Sequence, residues 1–159
     1  NPIAHIDPVG TILLPVLLVI SHSPVIFGWA KPVPINVRKF AKPKEGILLT
    51  ALAGPFANIV VAALFAVFIK LRILPFAGLN YFFAHVVLIN VVLAIFNLIP
   101  VPPLDGSSIL IGILPDNLAR SYAKLQPYGF LILLGLLYFG VIGRVIWPIV
   151  SFLTKFLIG

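Results

Sequence analysis

The chain has 159 residues, of which 61% are hydrophobic and 9% charged, with a net charge of +7 and a mean hydropathy of +1.17. Soluble domains are nearer half apolar and a quarter charged, so this composition excludes an ordinary soluble protein and reads as a single polytopic domain, 1–159, of all-α transmembrane architecture. The absence of cysteine excludes a disulfide framework and a thiolate metal site. The basic residues lie in loops between apolar stretches, where topology signals lie, so nucleic acid is not the expected partner; the lipid bilayer is. The chain also lacks methionine, position 1 included, and opens on Asn1-Pro2, so we expect an N-terminal portion to precede it.

Asn1 to Pro8 is polar and carries His5 and Asp7. Asp7 suits the entry of a helix, where negative charge is favoured, and the pair also suits a place near a functional site. An apolar stretch from Ile6 to about Phe27 follows, interrupted by Pro15, Ser21, His22 and Ser23. Gly28 to Gly46 is basic, with Lys31, Arg38, Lys39, Lys42 and Lys44 against Glu45 alone. Its prolines forbid a regular helix, and residues 31–37 read as an extended or strand-like loop. The positive-inside rule places this loop on the cytoplasmic side.

Ile47 to Ile69 is the next span. Gly54, Asn58 and Ala62 recur at fourth positions, as do Ala53 and Ala57, a spacing that lets helix backbones approach closely. Asn58 reads as a bundle-interior hydrogen-bonding residue. Leu79 to Val101 is a third span, with Asn90 and Asn97 on one face and His85 away from it. A lone intramembrane histidine is usually a packing or hydrogen-bonding residue. The polar stretch with Asp116, Arg120 and Lys124 is expected on the same side as the basic loop. Two further apolar segments, Tyr128–Ile142 and Val145–Ile158, are separated by Gly143-Arg144. They bring the expected total to about four to five membrane segments.

The most informative stretch is Phe96-Asn97-Leu98-Ile99-Pro100-Val101-Pro102-Pro103-Leu104-Asp105-Gly106. Its prolines stop an ordinary helix, and irregular backbone at membrane depth is tolerated only inside protein or beside a wet cavity. Asp105 alone suits a helix cap or a turn. Flanked by Asn97 and three prolines, it instead suggests a functional site, the usual meaning of an ionisable residue in a membrane.

Asn97 to Gly106 resembles the second signature motif of the site-2 protease family, the intramembrane zinc metalloproteases of peptidase family M50. Three other stretches resemble segments of the short bacterial and archaeal members, in the same order: Asn1–Thr11, Gly28–Asn36 and Ala53-Gly54-Pro55-Phe56-Ala57-Asn58. The resemblance implies that Asp105 is a zinc ligand and that Asn97 contacts the substrate carbonyl or its oxyanion. It further implies that Pro100 and Gly106 shape the site, and that the Gly28–Asn36 loop pairs with an unwound substrate. The implied reaction is hydrolysis of peptide bonds in or near transmembrane segments, in a prokaryotic cell membrane; loop charge places Asp105 toward the cytoplasmic side. The family's first motif, His-Glu-x-x-His, is absent: the histidines are His5, His22 and His85 and the one glutamate is Glu45. By the family's pattern one zinc ligand, Asp105, is present, and these 159 residues alone are expected to be inactive. The alternative is a non-catalytic membrane protein, either a degenerate protease homologue or a transporter-like subunit, that binds transmembrane helices or a polar ligand.

Overall fold

The computed structural model describes residues 8–21, 42–71 and 77–159. His5, Asp7, His22 and the extended loop expected at residues 31–37 lie outside the described residues. The chain divides into two compact units, Asn1–Asn36 and Val37–Gly159, and each is described by itself. In the first, a π-helical turn, Pro8–Leu13, runs into α1, Leu14–Ile20. Pro15 sits in the first turn of α1. The turn at Ser21 closes through its N–H onto the Leu17 carbonyl at 2.9 Å.

The second unit holds α2 (Pro43–Lys70), α3 (Ala77–Asn97), α4 (Asp105–Ile113), α5 (Asp116–Ala123), α6 (Gly129–Tyr138) and α7 (Val141–Ile158), with a 3-10 turn at Gln126–Tyr128. All described elements are helical, as the composition predicts. Among the described residues, three helices are long and apolar enough to cross a membrane: Pro43–Lys70, Gly78–Asn97 and Val141–Ile158. Pro43 and Glu45 open α2 and Lys70 closes it, each placed to suit the helix dipole or its free first N–H groups. At about 1.5 Å per residue its 28 residues extend roughly 42 Å, more than the hydrocarbon thickness.

Two boundaries differ from the sequence expectation. The third span ends at Asn97 rather than Val101. Pro100 has no N–H to donate, and proline pushes the residue before it out of the helical region. Leu98 and Ile99 still donate to the Ala94, Ile95 and Phe96 carbonyls, which closes the last turn. The C-terminal pair separates at Phe139-Gly140 rather than at Gly143-Arg144. Gly140 has φ +66°, a left-handed conformation that glycine adopts without a Cβ penalty, whereas Gly143 and Arg144 continue inside α7. With 10 residues, α6 is roughly 15 Å long and too short to span.

The core forms where α2, α3, α6 and α7 meet: Ala62 and Ala66, Val87 and Val91, Leu133, then Ile142, Ile146 and Val150. Leu104, from the proline loop, is inserted into the same cluster. Small residues let α2 pack closely, through Ala51, Pro55, Ala62 and Ala66, while Ala53 and Ala57 stay exposed. The loop is also pressed against α6. A Cβ on Gly129 would fall well under 3.0 Å from the Pro102 ring and backbone. Gly129→Ala is therefore expected to destabilise the fold by about 1–3 kcal/mol, at roughly 2–4 °C of Tm per kcal/mol, because backbone must move to admit the methyl. A thermal melt of the detergent-solubilised protein checks this, and an unchanged Tm would refute the close packing.

Candidate functional site

The site is built on the loop 98–104 that joins α3 to α4. Its backbone is accounted for locally: the N–H of Val101 donates to Ile99 O at 2.8 Å, that of Leu104 to Val101 O at 3.0 Å, and that of Ser107 to Leu104 O at 3.0 Å. The Ser107 hydroxyl adds a bond to Leu104 O at 2.8 Å. From α5, the Tyr122 hydroxyl donates to Pro100 O at 2.6 Å. These bonds satisfy carbonyls that would be costly if orphaned inside a membrane. Partial burial pushes the Tyr122 phenol above its usual range, so it stays a proton donor.

Gly106 fixes how the loop closes. A Cβ at this position would overlap the carbonyls of Leu98 and Ile99. The start of α4 therefore lies directly on the backbone of Leu98 and Ile99, the two residues that follow Asn97. Gly106 is buried and Pro100 exposed.

Asp105 is the first residue of α4, and it is half-buried. The helix N-cap is Leu104, with no side-chain capping bond, so capping does not occupy the carboxylate. Its Oδ2 lies against the backbone of α2, 2.9 Å from where a Cβ on Gly54 would stand. Only a residue without a side chain leaves that space. Among the described residues no hydrogen bond or cation reaches this carboxylate. Gly54 stands eleven residues after Pro43, about 16 Å along α2, so the carboxylate lies well inside the span. Asn58, one turn further along α2, is half-buried, as is Asn97, and neither amide has a hydrogen-bond partner among the described residues. By contrast, Asn90 donates to Val86 O of its own helix at 2.8 Å. Exposed His85 uses its Nδ1 on Tyr81 O at 2.9 Å.

Beside Gly54 an apolar groove of about 440 Å³ runs along α2, floored by Leu49, Leu52, Ala53, Phe56 and Ile59 and closed on one side by Leu98. At the N-terminal end of α2, Lys44 reaches both Leu114 O, at 2.9 Å, and the Asp116 carboxylate, at 2.5 Å. The Lys44 ammonium holds the Asp116 carboxyl below the usual carboxylate range, with a lesser contribution from Arg120. The polar stretch of α5 is thus at the same end of the unit as Lys42 and Lys44, as alternating spans predict.

The contacts of Gly54, Lys44 and Tyr122 were not legible as parts of one site. Each is made across 22 to 70 positions of chain, and Gly54 stands out in sequence only by its small-residue spacing on α2 and by the Ala53–Asn58 stretch. Among the described residues no three His, Cys, Asp or Glu side chains gather in a metal-binding group. Asp105 is the one such donor that the described residues bring to this site.

The sequence profile of peptidase family M50 matches residues 72–138. A protein of Bacillus subtilis (strain 168), named "Putative zinc metalloprotease YwhC", is 35% identical over 159 aligned residues, which cover 95% of this chain and 69% of that protein. No solved structure gives a significant match.

Proposed function

We propose, from the premise that the chain belongs to peptidase family M50, the site-2 protease family, that it forms one wall of a proteolytic site sunk in the membrane. The substrate is a transmembrane or membrane-proximal segment of another protein, lying along the apolar groove of α2 until a peptide bond reaches Asp105 and Asn97. The observation that carries this reading is the Asp105 carboxylate. It is half-buried beside Gly54, with no partner among the described residues. An ionised side chain at the centre of a membrane helix costs about 2.5–3.5 kcal/mol on insertion scales, so an unpaired one has a use.

Zinc is the metal implied by the relative's name. The described residues bring one oxygen donor of suitable chemistry, Asp105, and do not by themselves form a three-ligand site. Asp105 is the ligand this part of the chain offers. The Asn97 amide, without a partner among the described residues, is suited to a carbonyl oxygen that gains negative charge as the peptide bond is attacked. Pro100 and Gly106 hold the loop that sets the spacing between the two. Asn58 offers a second free amide on the α2 face that carries Gly54, suited to an unwound substrate backbone. The Lys42–Lys44 end faces the cytoplasm by its charge.

The test is cleavage of a transmembrane substrate by the full-length protein in liposomes. Cleavage is expected to stop on treatment with a zinc chelator and return with added zinc, and a protein that cleaves equally well without zinc would refute the reading. Gly54→Ala gives a local test. Its methyl would stand 2.9 Å from Asp105 Oδ2 and push the carboxylate aside. A displacement on the order of 1 Å is expected to lower turnover by about 10- to 100-fold. Alanine is the better helix former, so helix stability should hold or rise by about 0.5–1 kcal/mol. Normal turnover with normal stability would mean that the contact at Gly54 does not matter to the site.

A further inference from the structure

α4 lies alongside α2 as a strut. Asp105 at its inner end touches Gly54, and a Cβ on Gly112 near its outer end would stand 3.1 Å from Leu48 Cβ and 3.5 Å from Lys44 O. From Asp105 to Gly112 the strut rises roughly 10 Å, and from Gly54 to Leu48 α2 rises roughly 9 Å in the opposite sense, so the two helices keep in step. Lys44 fastens the outer end. Its Nζ donates to the carbonyl of Leu114, the C-cap residue of α4, and pairs with Asp116 at the start of α5. A lysine is well suited to this position, since the last carbonyls of a helix lack partners and carry partial negative charge.

We propose that Lys44 is a positioning residue for Asp105: by pinning the outer end of α4 to α2, it fixes how the carboxylate at the inner end lies against Gly54. The positioning itself stands on the packing of α2 and α4. Its catalytic consequence rests on the reading of Asp105 given above. The pair with Asp116 is largely exposed, with side chains 44% and 76% accessible, so its contribution to overall stability is small. What it controls is the seating of one short helix.

The chain has no cysteine, so an engineered pair reports on that seating directly. In the full-length protein, a Gly54→Cys, Asp105→Cys double variant puts one sulfur where the carboxyl carbon stands, 4.0 Å from a Cβ at position 54. Single-cysteine variants serve as controls. Adding Lys44→Met is expected to slow copper-catalysed cross-linking of this pair about fivefold, the effect of losing one exposed ion pair and one hydrogen bond. Lys44→Arg should restore the rate. Lys44→Gln serves the same purpose should methionine impair membrane insertion. An unchanged cross-linking rate in the Met or Gln variant would overturn the proposal. In parallel, with Gly54 and Asp105 intact, Lys44→Met should lower kcat and leave KM unchanged, because the groove is untouched. Slower cross-linking with unaltered kcat would uphold the positioning by Lys44 and refute the catalytic reading of Asp105, so the two failures are distinguishable.

Discussion

Asp105→Ala in the full-length protein is expected to abolish proteolysis and to weaken zinc binding by more than about 100-fold, since loss even of a residue that merely orients a ligand costs about 10- to 100-fold. The same substitution should leave the fold intact or make it more stable. The Asp105 carboxylate has no hydrogen bond or ion pair among the described residues, and it is half-buried, so alanine removes an unfavourable desolvation and breaks no bond. Function and stability should therefore move in opposite directions. Zinc content by mass spectrometry and a thermal melt on one preparation check both. Retained zinc would remove Asp105 from the ligand set. A fall in Tm with activity retained would make it a structural residue of the α4 N-terminus.

Asn97→Ala is expected to lower kcat by about 100- to 1,000-fold, the range for removal of one oxyanion donor, with zinc stoichiometry unchanged. Asn97 ends α3 next to the irregular loop, and its amide is uncommitted among the described residues. Asn90, seven residues earlier on the same helix, is the internal control. Its amide is already bonded to Val86 O at 2.8 Å, so Asn90→Ala should change turnover little. Single-turnover cleavage measured beside zinc content separates the two asparagines. Equal effects of both substitutions would assign Asn97 to helix packing.

The parts of this site that could be read from sequence are those encoded locally. The proline cluster marks the break after α3, and Asn97 and Asp105 bracket it within nine residues, so spacing and side-chain chemistry were enough to single them out. The helical class and the long α2 and α3 followed from continuous apolar runs bounded by prolines and lysines. The misplaced ends have local causes that hydropathy does not register. The apolar residues up to Val101 look like span, but Pro100 lacks the N–H that would continue the helix. Gly140 looks like any glycine until its φ of +66° shows that it ends a helix. The rest was long-range. Nothing in the spelling of Lys44 indicates that it reaches Leu114 O across 70 positions. Nothing at Gly54 indicates that a carboxylate from the loop after α3 fills the space its missing side chain leaves. Contacts of that kind depend on how α4 lies along α2, which no local pattern encodes.

The most direct measurement is zinc K-edge X-ray absorption on the full-length protein carrying Asp105→Cys. This chain has no other cysteine, so sulfur in the metal's first shell reports on position 105 once single-site controls exclude other thiols. If Asp105 is a ligand, a Zn–S distance of about 2.3 Å should appear in the variant where the wild type has nitrogen and oxygen at about 2.0–2.2 Å. A variant that binds zinc with an unchanged nitrogen and oxygen shell would show that the metal is held without position 105 and would contradict the assignment of this site.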